Sequence, residues 1–409
     1  MPDALALAES LLREEISPEE ARPFSFSGDL VEVADGVAFV PSFANVTAVR
    51  TDDELVLIDT GSPLTADIVH TQVRAWSRAP VRTAIYTHGH IDHVFGVGPF
   101  EAEGPVRVVA HENVAARFDR YRKTAGYNAV INRRQFRLPD LEWPTEYRYP
   151  DESYRDELSF NVGGRRFELR HGKGETDDAT WVFIPDRRVL CCGDFFIWAA
   201  PNAGNPQKVQ RYPAEWAAAL RAMATLDAES LLPGHGVPIV GADRVRAVLE
   251  DTASWLESLV EQTLEMINAG ASLDAVLHTV KVPEHLASKP YLRATYDEPE
   301  FIVRNLWRLY AGWFDGDPSS LKPPPQRALA LELADLAGGA AAIAKRAREV
   351  AAAGDLRLAC TLAEIAFRAA PNDESALSAR SDVYRRRAEV EPSLMAKSIY
   401  SWAADDARR

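Results

Sequence analysis

The sequence predicts an α/β protein, with an αβ/βα sandwich over residues 1–245 joined to an all-α region over residues 246–409. Three observations predict it. Short apolar runs of strand length, bounded by Gly, Pro, Asn and Asp, alternate with helical periodicity through the first half. Side chains of metal-ligand type fall at the ends of those runs, where loops at one edge of a sandwich would gather them. From about Ala242 onward the strand pattern stops and only helices continue.

Residues 30–33 and 37–40 flank Asp35-Gly36, a hairpin signal. Runs over 45–50 and 55–59 follow across a Thr51-Asp52-Asp53 turn, and the second ends in Asp59-Thr60-Gly61. A helix is expected over 66–76, then a buried strand through Val81, Ala84, Ile85 and Tyr86, a strand over 106–110 and a helix over 112–121. Residues 123–157 mix aromatic and Arg side chains without clear periodicity, so a lid or substrate loop is expected there. Strands resume at 160–162, 166–170, 180–184 and 189–192, with a turn at Pro185-Asp186-Arg187. A helix over 214–224 and a short strand over 230–232 lead to Pro233-Gly234-His235-Gly236. In the helical region Lys322-Pro323-Pro324-Pro325 is a break. Beyond it, 354–370 and 373–387 read as one helical hairpin through Pro371-Asn372, a packing layer with too few copies for a solenoid.

Bulk composition narrows the function. With 409 residues, 46% hydrophobic and 26% charged, the chain has ample material for two domains or one large one with an appendage. A net charge of −14 argues against a nucleic-acid groove, which needs clustered Lys and Arg. Three cysteines, two of them adjacent at Cys191-Cys192, form no disulfide framework and suit a reducing compartment. The N-terminal stretch is acidic, helical and amphipathic, with no secretory pattern. No apolar run approaches the ~20 residues of a membrane span. The expected location is the cytoplasm.

The chemistry concentrates in His88-Gly89-His90-Ile91-Asp92-His93. Three His and one Asp in six residues, out of nine His in the chain, are hard to reconcile with a chance polar loop. Neighbouring side chains on a loop leaving a strand point to different ions, and imidazole with carboxylate suits zinc or a similar divalent ion. Glu175 lies in a glycine-rich loop (Gly172 to Asp178), Asp194 follows the apolar run ending at Gly193, and His235 sits between two glycines. These make seven candidate ligands, enough for two ions sharing one carboxylate.

The series strand-Asp-Thr-Gly, H-x-H-x-D-H, strand-Gly-Asp and Pro-Gly-His, over roughly residues 28 to 240, resembles the metallo-β-lactamase superfamily. Glu175, standing where most of that superfamily has a third His, resembles the zinc-dependent alkylsulfatase branch. The stretch from Tyr310 to Pro318, with Leu321 and Pro323, resembles the dimerisation region of that branch. Residues 128–134 resemble its active-site lid, and the stretch from Asn202 to Trp216, with Arg211 before Tyr212-Pro213, also matches it. The chain departs in having Asp194 where the family usually has Glu, and Glu-Thr-Asp-Asp after Gly174. The larger alkylsulfatases also continue into a sterol-carrier-like domain beyond the position of Arg409, which weakens the expectation of a long detergent-like substrate.

The resemblance implies a dinuclear site with two zinc ions per chain. His88, His90 and Glu175 would hold one and Asp92, His93 and His235 the other, with Asp194 bridging. A water between two such ions ionises near neutral pH and would attack the ester. The implied reaction is hydrolysis of an alkyl sulfate to alcohol and sulfate by a homodimer, with a small anionic ester as substrate. A carboxylic ester, lactone or thioester remains the alternative at the same site. Arg211, whose guanidinium fits a planar pair of oxygens, and Asn202 join Asp92 as catalytic candidates, with Arg133, Arg134 and Lys173 as weaker ones. Cys192 is expected to be a small buried strand residue. His111, His171, His278 and His285 are expected to be structural or exposed, and Trp198, Trp216, Trp307 and Trp313 to belong to the core.

Overall fold

The computed structural model describes residues 3–406. The seven-stranded sheet holds, in spatial and chain order, β1 (Val31–Ala34), β2 (Val37–Val40), β3 (Val46–Arg50), β4 (Leu55–Ile58), β5 (Val81–Ile85), β6 (Arg107–His111) and β7 (Glu152–Tyr154). The six-stranded sheet is built from β8 (Glu157–Val162), β9 (Arg165–His171), β10 (Thr180–Ile184), β11 (Val189–Gly193), β12 (Ser230–Pro233) and β13 (Ile239–Val240), also adjacent in sequence order. Both sheets are mixed. Strands β1 to β4 pair antiparallel, whereas β4, β5, β6 and β7 run parallel. In the second sheet only β11 and β12 are parallel.

The strands read as unbroken apolar runs because β2 and β4 are buried along their whole length. On one face of the first sheet, Val40, Val46, Leu55, Leu57, Ala84 and Val108 pack with Val69 and Val73 of helix Ala66–Trp76 and with Val114 and Phe118 of helix Asn113–Lys123. Alternate residues of β4, Val56 and Ile58, are buried too. With both faces covered, polar chemistry is confined to the strand ends.

The chain divides into two compact units. The first takes residues up to 125, 144–270 and 276–310, and includes both sheets. Its longest helix, Ala242–Asn268, buries Val245, Val248, Leu249, Leu256 and Leu259 at helical spacing and packs on helix Pro213–Ala224. The second unit comprises 126–143, 271–275 and the chain from 311 onward. There, helices Ala340–Ala352, Leu356–Ala369 and Glu374–Val390 approach through Ala344, Ala347, Ala359, Ala363, Ala366, Ala376 and Ala379. The expected hairpin is the last two of these helices, and the three prolines fall between helices Pro318–Leu321 and Gln326–Leu336.

Two expectations are corrected. The stretch 123–157 is not one long loop, because Ala125–Phe136 is a helix and Glu152–Tyr154 is β7; the longest irregular part is 137–151. The helix is of mixed polarity, with Asn128, Asn132 and Gln135 buried beside Ala129 and Ile131 while Tyr127 and Val130 are exposed, so no clean apolar stripe marks it in the sequence. Trp313 is 69% exposed rather than core, whereas Trp198, Trp216 and Trp307 are buried.

Candidate metal centre

The parallel strand pairs set the site. Side chains leaving the carboxyl ends of neighbouring parallel strands converge on one edge of a sheet. From β4 and β5 the chain departs at Asp59 and at Thr87-His88, and from β11 and β12 at Asp194 and His235. The two sets are held closely together. Thr180 N–H donates to Thr87 O at 2.7 Å, and a Cβ on Gly193 (φ +51°) would lie 2.8 Å from the Cβ of Thr87. A Cβ on Gly234 would fall 2.1 Å from Asp194 Oδ1, so glycine alone fits beside that carboxylate.

All seven candidate ligands come together there, in two groups. His88, His90, Glu175 and Asp194 form one, and Asp92, His93 and His235 the other, each with ligand atoms within 4.8 Å of one another. In the first group His88 Nε2 is 2.8 Å from His90 Nδ1 and 3.7 Å from Asp194 Oδ2, and His90 Nδ1 is 3.9 Å from Glu175 Oε1. In the second, His235 Nε2 is 3.5 Å from Asp92 Oδ2, and His93 Nε2 is 3.9 Å from the same oxygen. Asp194 reaches both groups, with Oδ1 3.4 Å from His93 Nε2 and Oδ2 3.5 Å from His235 Nε2.

Three of the four imidazoles are oriented from behind. His93 Nδ1 sits 2.8 Å from Asp59 Oδ2, and His88 Nδ1 is 3.0 Å from Thr87 Oγ1. Asp59 itself accepts Thr87 N–H at 2.7 Å and Thr87 O–H at 2.8 Å. His235 Nδ1 bonds to Phe43 O. With Nδ1 engaged in this way, the Nε2 atoms of His88, His93 and His235 turn inward, as outer hydrogen bonds do for metal-binding histidines. Buried Asp178 accepts Gly89 N–H at 3.0 Å and Arg117 Nε–H at 2.7 Å, fixing the loop between His88 and His90. Against its burial, Arg117 pulls Asp178 down to about 2.

The electrostatics suit cations. Burial, then His93, lowers His88 to about 4, so its ring is neutral and its lone pair free to ligate. Burial likewise holds His90 well below the usual range. Burial raises Glu175 well above the carboxylate range, and Asp194 and Asp92 add to that while Arg211 opposes it. The observation that tests the fit is that His93 Nε2 and Asp194 Oδ1 are buried without hydrogen-bond partners. Both face the two groups, and four imidazoles with three carboxylates are the donor types of zinc and similar ions.

Arg211 and Asn202 lie beside the first group. Arg211 is 2% exposed; its Nη1 is 2.9 Å from Glu175 Oε1 and also donates to Glu175 O, while its buried Nε has no partner. Asn202 donates to the same Oε1. Both therefore position Glu175. Lys173 stacks its ammonium on the Tyr212 ring. Arg133 and Arg134 belong to the second unit, where Arg133 Nε donates to Leu141 O at 2.7 Å and Arg134 lies 4.0 Å over the Trp402 ring. Cys192 is fully buried on β11. His111 and His171 stack on each other with ring centroids 3.7 Å apart.

Several neighbours carry no local signal in the sequence. Asn305 accepts Arg211 N–H at 3.3 Å and donates to Arg211 O at 3.0 Å, and Asp297 accepts Gly204 N–H at 2.6 Å. Lys208, lowered to about 7 by burial and by Arg211, feels the charges of Glu175 and Asp92. Phe24 and Phe43 are brought to His235 from distant parts of the chain, and Tyr296 stacks on Phe24.

The fold and the two ligand groups define the class. Residues 40–235 match the metallo-beta-lactamase superfamily, and residues 272–409 match the alkyl sulfatase dimerisation family. A linear primary-alkylsulfatase of a Pseudomonas species is 28% identical over 366 residues, 83% of this chain and 69% of that protein. An alkyl/aryl-sulfatase of Saccharomyces cerevisiae is 24% identical over 383 residues, 85% of this chain and 59% of that protein. The solved structure of a stereoselective inverting sec-alkylsulfatase from Pseudomonas superposes with a TM-score of 0.84 at 25% identity, covering 93% of this chain and 66% of that one. This chain joins a metallo-beta-lactamase region to an alkyl sulfatase dimerisation region and is homologous to the Pseudomonas alkylsulfatases.

Proposed function

We propose that the chain is a dinuclear zinc hydrolase that cleaves alkyl sulfate esters to alcohol and sulfate. The observation that carries this reading is the pair of ligand groups sharing Asp194, with Glu175 completing the first. Bound there, two cations would lower the pKa of a water and polarise the ester. The protein's own part is to turn the imidazoles of His88, His93 and His235 inward through partners behind them and to position Glu175 through Arg211 and Asn202, with Arg211 opposing the burial that raises its carboxyl. Homology to alkylsulfatases at 24–28% identity supports the substrate class. The three free, buried cysteines accord with a cytoplasmic setting, and no helix among the described residues is long and apolar enough to cross a membrane.

Metal analysis with a substrate panel tests the reading. The expected result is close to two zinc ions per chain and sulfate release from alkyl sulfates. Turnover of lactones, thioesters or carboxylic esters with no sulfate release would move the assignment to those substrates.

The same proposal includes a homodimer. Its support is the match of residues 272–409 to the alkyl sulfatase dimerisation family, together with exposed Trp313, Phe314, Leu321, Leu329, Leu331 and Leu336 in the second unit. Sedimentation at micromolar concentration should give a particle of two chains, and a single-chain particle would contradict it.

A further inference from the structure

The two halves of the centre differ in what surrounds them. The first group has polar side chains against it, with Arg211 and Asn202 both on Glu175. The second is clasped by aromatic rings. Phe24 stacks on the His235 imidazole with centroids 4.6 Å apart and an interplanar angle of 18°, and Tyr296 stacks on the other side of Phe24 at 4.3 Å and 23°. Phe43 meets His235 edge-on at 5.4 Å. These rings come from three separate places, the turn Pro23–Ser25, the loop after β2 and the segment before helix Pro299–Tyr310. Tyr296 is buried, and its phenol feels the charges of Glu175, Asp92 and Asp194. Phe24 and Phe43 are only half-buried, so they keep apolar surface next to a cluster of ionisable groups.

We propose that Phe24, Phe43 and Tyr296 form the wall that seats the organic group of the ester while its anionic head lies on the Arg211 side. The proposal rests on the sulfate-ester reading above and narrows it: the faces of Phe24 are taken up by His235 and Tyr296, so the exposed ring edges of Phe24 and Phe43 would meet the organic group, which favours a compact aryl or short branched group over a small methyl one. The polarity of the site then fixes the direction of the substrate across the centre. Rings at contact distance attract another ring by offset or edge-to-face stacking in addition to burying apolar area.

The test uses sulfonates, which carry the same anionic head but offer no ester bond to cleave. Calorimetric binding of benzenesulfonate and methanesulfonate to the zinc-loaded protein should show the aryl ligand binding more tightly. Phe24→Ala should reduce that preference roughly fivefold to tenfold, with little change in methanesulfonate affinity and unchanged zinc content. Phe24→Leu keeps the volume without the ring and should lose most of the preference in a folded protein. Tyr296→Phe keeps the stack and should retain it. If neither sulfonate binds the unmodified protein, the anionic-ester reading fails. If both bind and the preference survives Phe24→Ala and Phe24→Leu, the wall is overturned while that reading stands. Zinc loss in both Phe24 variants, with equal weakening of both ligands, would show that Phe24 only covers His235.

Discussion

Asp194→Asn should leave a protein that holds at most one zinc per chain and has lost about a thousandfold or more in turnover. Asp194 is the one carboxylate within 3.4–3.7 Å of imidazoles from both ligand groups. An amide keeps the shape but removes the charge that two cations would share. Metal-ion stabilisation of a developing charge is worth several kcal/mol, and each 1.36 kcal/mol is about a factor of ten in rate. His90→Ala and Asp92→Ala, each removing a ligand from one group only, should also lose activity and most metal. Metal analysis of the purified variants, alongside turnover of an alkyl sulfate, checks all three. Full zinc content and activity in Asp194→Asn would show that the two groups do not act as one centre.

Arg211→Ala should lower the catalytic efficiency on sulfate esters by about ten- to a hundredfold, since a charge-assisted hydrogen bond contributes about 1.5–3 kcal/mol. The structure adds a second consequence. Arg211 is almost wholly buried and pairs with Glu175 at 2.9 Å, so its removal leaves a carboxylate already raised by burial without its cation. Zinc affinity at the first group should therefore fall as well. Measuring sulfate esters and a neutral ester at saturating zinc separates the two effects. A larger loss for the sulfate ester assigns Arg211 a direct hold on the anion through the side of the guanidinium not engaged by Glu175. Equal losses for both would mean that Arg211 acts through Glu175 alone.

Much of the strand pattern was legible because strands buried on both faces appear as unbroken apolar runs, and the H-x-H-x-D-H loop is compact enough to stand out in one line of sequence. Glu175, Asp194 and His235 were legible as ligand types at strand ends. What could not be read was anything set by pairing between distant strands. Asp59 orients His93 because β4 lies parallel to β5, a relation with no local mark in the sequence. Asp178 and Arg117 meet across 61 positions, and Phe24 reaches Tyr296 from the opposite end of the first unit's sequence. The helix Ala125–Phe136 was missed for a different reason, since three amide side chains share its buried side with Ala129 and Ile131 while Tyr127 and Val130 are exposed.

The candidate ligands leave strands of both sheets, His88 to His93 after β5 of one, Asp194 and His235 after β11 and β12 of the other. Cations held in common by them would fasten chain positions as distant as 88 and 235, much as a covalent bridge does. A tie closing about a hundred residues removes roughly 4–5 kcal/mol of unfolded-chain freedom. This chain's three thiols are all unbridged, so no disulfide supplies such a tie. Metal supply would then bear on how long the folded protein endures as well as on how fast it works.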